Sequence, residues 1–220
     1  TLASEQFLLA IIGTTMARRK KKKSSPLLIL FILLIAAGYY YYNNIYNKKE
    51  ISKTEKPKKE TITRYNRDDW GDWADEDNDG LNTRHEVLAR ASLVKPVISN
   101  NRVISGKWYD KFTGKYFTNA KDLDIDHLVP LKNAHISGAS NWSKEKKNEY
   151  YNYMKNENHL VAVSKGANRS KGDKSPVEWL PPNEEYQCEY VREWYKIKTD
   201  WGLTIEEGFD EVSNRVCKGK

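Results

Sequence analysis

The stretch Asp124-Ile125-Asp126-His127-Leu128-Val129-Pro130 constrains this chain more than any other. Its acids alternate with apolar residues, as in a short strand with one polar face, and Pro130 stops it because proline cannot donate to a sheet ladder. Asp124 and Asp126, two positions apart, share one face of that strand. Further on, His159-Leu160-Val161-Ala162-Val163 reads as another short strand, and Ser164 directly after it can cap a short helix carrying Asn168. A strand thus ends in an acid and a histidine, a second strand follows, and a helix then presents an amide.

Those parts suit the hydrolysis of a phosphodiester. The reaction needs a base to activate water and a cation to neutralise charge on the phosphorane and the leaving oxygen. Histidine, with an ordinary pKa of about 6.5, suits the first task. Oxygen ligands suit the second if the metal is Mg²⁺, which keeps several waters and takes only one or two protein groups.

The segments 124–130, Asn158-x-Leu160 and Asn168-Arg-Ser-Lys-Gly-Asp173 together resemble the HNH, or His-Me finger, endonuclease superfamily. The likeness is to the GmrSD restriction endonuclease C-terminal domain and its stand-alone exported relatives in particular. Trp70-Gly-Asp-Trp73, Asn82-Thr-Arg-His-Glu-Val-Leu88, Ser105-Gly-Lys-Trp108, Ser137-Gly-Ala139 with Trp142, Trp179-Leu-Pro-Pro182, and Cys188-x-Tyr190 with Trp194 and Trp201 extend it over nearly all of residues 65–217. The resemblance implies an α+β fold, with a ββα-metal nuclease core, added helices and a β-hairpin. It implies His127 as general base, Asp126 and Asn168 as ligands of Mg²⁺ or Mn²⁺, and Asn158 as a brace for the loop behind the base. The other reading of Asn158 is an ordinary turn asparagine. Asp124 either steadies a ligand or adds a third acid near the metal. The exported relatives often carry a further cysteine pair near positions 80 and 101, where this chain has Gly80 and Asn101. His135 and His159 are expected to be hydrogen-bonded structural histidines, and His85 a surface residue.

Bulk charge is no argument for a nucleic-acid partner. The net charge is +7, but Arg18–Lys23 alone supply six positive charges, and residues 61–220 hold 25 Lys and Arg against 26 Asp and Glu. Local charge is more telling: residues 127–175 net +5, whereas 61–126 net −2 and 176–220 net −4. Arg169, Lys171 and Lys174 follow Asn168 directly, so they are candidates for phosphate contacts that position a backbone without reading bases. Lys144, Lys146 and Lys147 read as a solvated face.

Asp75-Glu-Asp-Asn-Asp-Gly-Leu-Asn-Thr-Arg-His-Glu86 fits the spacing of an EF-hand loop, with Gly80 at the turn. Asp75, Asp77, Asp79 and Glu86 either hold a structural Ca²⁺ or form a solvated acidic turn capped by Thr83. Cys188 and Cys217 are the only cysteines. They suit a disulfide between two terminal helices in an oxidising compartment, or else two buried thiols.

Upstream, Met16 opens a basic run followed by apolar residues from Leu27, small residues and a tyrosine cluster, the order of an export signal. Residues 1–15 are read as a mis-start and residues 16–46 as either a cleaved signal or an uncleaved anchor, since Leu27–Tyr46 reaches the length of a membrane span. The lysine-rich segment 47–64 reads as a tether, and residues 65–220 as the nuclease domain. Within it, helices are expected after Thr83, Ser143, Ser175, Asn183 and Thr204, and a hairpin over 102–118 turning at Asp110–Gly114. The expected function is an exported endonuclease cutting DNA, or RNA, with low sequence specificity. The competing classes are a cell-surface binding module with a vestigial nuclease fold, and a toxin or restriction effector aimed by a partner.

Overall fold

The computed structural model describes residues 32–41 and 62–219, which fall into two compact units, Thr1–Glu60 and Thr61–Lys220. In the first unit residues 32–41 form a helix, α1, with exposed side chains. The mis-start over 1–15, the rest of the signal or anchor over 16–46, and all but the last residues of the tether lie outside the described residues. Among the described residues, no helix is long and apolar enough to cross a membrane.

The second unit is α+β. Strand β2 (Arg102–Asp110) pairs antiparallel with β1 (Val97–Ser99) and with β3 (Lys115–Asn119). The β2–β3 turn falls at Asp110–Gly114, as the alternation of β-branched and aromatic residues predicts, and Gly114 takes the positive φ of +70° that turn requires. A second sheet has two strands, β4 (Leu123–His127) and β5 (Leu160–Ser164), with Asp126 opposite Val161 and His127 opposite Leu160. Helices α2 (Thr83–Ala91), α3 (Leu131–Ile136), α4 (Lys144–Tyr151), α5 (Lys165–Lys171), α6 (Glu184–Asp200) and α7 (Phe209–Cys217) complete it. β4, β5 and α5 form the ββα unit.

Two cores hold these elements. One, around Val87, Leu88, Trp108, Leu123, Ile125 and Leu160, packs α2 between the two sheets. The larger one joins Leu128, Val129, Tyr150 and Val163 to the stripe Tyr186, Tyr190, Val191, Trp194 and Ile197 of α6, a 3.6-period pattern. A disulfide between Cys188 and Cys217 ties α6 to α7.

Three helix starts differ from the expectation. Asn82, not Thr83, caps α2, its Oδ1 accepting from His85 N–H at 3.3 Å. Thr83 Oγ1 is drawn away to Asn152 Oδ1 at 2.8 Å and to the Ala74 carbonyl at 3.0 Å. After Ser175 only one turn forms: Glu178 accepts from Ser175 N–H at 3.0 Å, but the paired prolines at 181 and 182 end the segment. The last helix starts at Phe209 after Gly208 in a left-handed conformation, and Thr204 instead bonds to Ser137 through its backbone N–H at 2.9 Å. Where exported relatives carry cysteines, Gly80 and Asn101 lie against each other, so close that a Cβ at Gly80 would stand 2.8 Å from Asn101 Nδ2. Direct packing joins the acidic loop to the β1–β2 turn.

His135 and His159 are both buried, and their Nε2 atoms lie 2.8 Å from the carbonyls of Thr63 and Tyr150. Burial pushes His159 down from 6.5 to about 4. The unfolded chain therefore takes up this proton near pH 6.5 and the folded chain only near 4, so its contribution is intact above 6.5 and lost as pH falls toward 4. The loss is about 1.4 kcal/mol per pH unit, roughly 3 kcal/mol over the window. Urea midpoints between pH 7 and 5 should fall accordingly, and His159→Gln, which keeps a donor but cannot titrate, should remove its share of the slope and leave that of His127, whose pKa burial also lowers. An unchanged slope in that variant would place the acid sensitivity elsewhere.

Candidate active site

His127 ends β4 and is almost wholly buried. Its Nε2 lies 2.9 Å from the backbone carbonyl of Tyr151. A carbonyl only accepts, so Nε2 carries the proton and the lone pair of the neutral ring is on Nδ1. Among the described residues that atom has no hydrogen-bond partner, and it is not one of the fully enclosed polar atoms. Trp73 stacks parallel to the imidazole at 5.6 Å, and Tyr151 packs beside it at 4.9 Å. Burial holds the His127 pKa well below 6.5, assisted by His159, Arg67 and Lys171 and opposed by the Tyr151 bond. The ring is therefore neutral near pH 7 and free to accept a proton at Nδ1.

Asp126 precedes it and is also buried. Its Oδ1 accepts from Lys171 Nζ at 2.9 Å; Oδ2 lies equally near that ammonium but out of line, enclosed with no hydrogen-bond partner. Lys171 is fully buried and donates also to the His127 carbonyl at 3.0 Å. Burial raises the Asp126 pKa and lowers that of Lys171, and each charge partly offsets the shift of the other. Lys171 is thus not placed as a phosphate contact: the ββα unit closes over it and spends its charge on Asp126. Arg169 and Lys174, by contrast, are exposed, with Lys174 Nζ donating to the Ser170 carbonyl at 2.8 Å.

Ser164 caps α5, accepting from Ala167 N–H at 3.4 Å, and so sets the helix turn that carries Asn168. Asn168 Nδ2 donates to Asp124 Oδ2 at 3.0 Å, which leaves its Oδ1 as a free acceptor. Asp124 therefore orients the amide. Asn158 faces the other way: its Oδ1 accepts from Lys111 Nζ at 3.3 Å. Within the loop before β5, Asn156 Oδ1 accepts from Asn158 N–H at 2.9 Å.

Three further residues shape the site. Asp110, fully buried, accepts from Ser164 N–H at 3.1 Å and from Phe112 N–H at 2.8 Å, tying the hairpin to the start of α5. Arg67 donates to Tyr151 Oη at 3.1 Å and brings an exposed cation near His127. Trp73 supplies the stacked roof. The Trp70-Gly-Asp-Trp73 segment signalled the last; Asp110 carried no signal beyond its place in a turn.

The acidic loop begins two residues after Trp73. Carboxylate oxygens of Asp75, Asp77 and Asp79 lie within 4.8 Å of one another, all three side chains exposed. Asp75 Oδ2 accepts from Gly80 N–H at 3.1 Å, and the Glu86 pKa is raised by burial and by Asp77, Asp79 and Asp75.

Comparison with known proteins places this geometry. An "Uncharacterized secreted protein" of Arthroderma benhamiae is 39% identical over 124 residues, 56% of this chain, and the match spans 60% of that relative's length. No solved structure gives a match. The family model for GmrSD restriction endonucleases, C-terminal domain, matches residues 22–207, and the chain belongs to that family.

Proposed function

We propose that this chain is an exported endonuclease that hydrolyses phosphodiesters of DNA, or RNA, with one Mg²⁺ or Mn²⁺ and little sequence preference. The observation that carries the reading is His127 at the end of β4, its tautomer set by the Tyr151 carbonyl and its basic Nδ1 unbonded. In this reading Nδ1 takes the proton of the attacking water. Arg67 and the exposed Arg169 and Lys174 hold backbone phosphates. Asn168 offers a hard cation its Oδ1, which no hydrogen bond uses, and Asp126 would offer Oδ2 in exchange for the Lys171 ammonium that stands 2.9 Å from it. A divalent ion there would neutralise charge gathering on the phosphorane. Residues 16–46 serve export, 47–64 form the tether and 65–220 the nuclease. The secreted relative supports the extracellular setting.

The test is plasmid cleavage by the segment from Tyr65 onward. Mg²⁺ should support nicking and EDTA abolish it, and Asn168→Ala should raise the metal concentration giving half-maximal rate. Full activity in EDTA would overturn the metal assignment.

The crowding of Asp75, Asp77 and Asp79, with Glu86 raised by them, favours a structural Ca²⁺ as well. Ion binding should stabilise the fold by RT ln(1 + [L]/Kd), about 2.7 kcal/mol at a hundredfold excess over Kd. Heating Asn168→Ala protein with and without Ca²⁺ isolates this loop from the other metal, and Asp77→Ala with Glu86→Ala should remove the rise in melting temperature. An unchanged melting temperature of the parent in millimolar Ca²⁺ would leave an acidic turn only.

A further inference from the structure

One cavity of the domain lies away from His127. It has a volume of about 650 Å³ and lies between α2, the β1–β2 turn and the residues leading into β4. Three cations line it, Arg84, Arg102 and Lys121, against one carboxylate, Asp75, whose Oδ2 is already taken by Gly80 N–H. His85 lines it too. Its Nδ1 accepts from Val103 N–H at 3.1 Å, so the neutral ring must carry its proton on Nε2 and has a donor left to offer. Asn82 uses Oδ1 for the α2 cap and keeps its amide hydrogens free. Arg102 and Lys121 are exposed, and neither forms an ion pair among the described residues. Donors and positive charges therefore outnumber the acceptors of the wall, which are Asp75 and the amides of Asn100 and Asn101, and this balance suits a ligand made of acceptors.

The cavity is also fixed to the strand that carries the candidate catalytic residues. Arg84 Nη2 donates to the Leu123 carbonyl at 2.9 Å, and Lys121 stands two residues before Leu123, the first residue of β4. His127 is the last. Four residue steps of extended chain span about 13 Å, so the cavity wall and His127 stand at opposite ends of one short strand.

We propose that this cavity is a phosphate subsite of the nucleic-acid substrate, in which Arg102, Lys121 and His85 hold a backbone phosphate at a distance from the bond that His127 cuts. The assignment rests on the nuclease reading above. It supplies what a nuclease of low sequence preference requires, an anchor that fixes the strand's position without reading a base. Two cations on one phosphate also predict a contact that depends strongly on salt.

The test measures binding in EDTA, so that cleavage does not intervene, with a fluorescent duplex and a matching single strand over a range of salt concentrations. Arg102→Ala with Lys121→Ala should weaken binding about fivefold or more and reduce the salt slope by about 1 to 2. Lys121→Glu alone should weaken it further than Lys121→Ala. Both side chains are exposed, so these variants should fold; Lys144→Ala, on the solvated face of α4, is the control and should change neither affinity nor slope. A parent that binds and cuts, with affinity and slope unchanged in the double variant, overturns the subsite and leaves the nuclease standing. A parent that neither binds nor cuts overturns both.

Discussion

Replacing His127 by alanine is expected to lower the single-turnover cleavage rate by about 10² to 10⁴, the usual contribution of a positioned general base. Nucleic-acid binding should persist, because no phosphate contact assigned here passes through the imidazole. The magnitude follows from the geometry: burial and the Tyr151 carbonyl leave one neutral tautomer, so the ring does not have to reorganise before it accepts a proton. Trp73 and Tyr151 fill the space around it, and the cavity left by alanine is closed to the face they cover. A loss of only a fewfold would remove His127 from the role of base and shift attention to a water held by the metal alone.

The second large effect concerns stability. Lys171→Met should destabilise the domain by about 3 to 5 kcal/mol, because it leaves the Asp126 carboxylate buried without its counter-charge. Asp126→Leu combined with Lys171→Met should recover most of that loss, since an apolar pair of similar volume removes both desolvation costs. Urea unfolding of the two single variants and the double variant measures this as a cycle. Two independent, additive losses would mean that the pair is not energetically coupled. The double variant should remain inactive even when stable, which separates folding from the oxygen ligand that Asp126 offers.

How much of this could be read from the chain varies with how local the cause is. The hairpin, both strands of the ββα unit and the capped helix carrying Asn168 follow from alternation, turn residues and a serine placed one residue before the helix. The cap of α2 was displaced by one position because Thr83 has a partner at Asn152, 69 residues away, which no local pattern reveals. Lys171 was grouped with Arg169 and Lys174 as a surface charge. Its spacing of three from Asn168 puts it on the same helix face as that residue, and this was the available signal for its inward direction. The Tyr151 carbonyl had no signal at all, because a backbone group has no residue type. Asn158 and Asn156 are both candidates for a brace by composition; only the chain's path through the loop distinguishes them.

The stacking of Trp73 on His127 has a consequence for where this enzyme can be cut. A fragment beginning at β1 would retain Asp124, Asp126, His127, Asn158, Asn168 and every basic residue that follows, and would pass any inspection of its motifs. It would lack the tryptophan that roofs the base, the arginine beside it and the helix that fills the space between the two sheets. A cut in the acidic loop, which separates Arg67 and Trp73 from β4, is therefore expected to lower activity although Asp124, Asp126, His127, Asn158 and Asn168 all stay on one fragment.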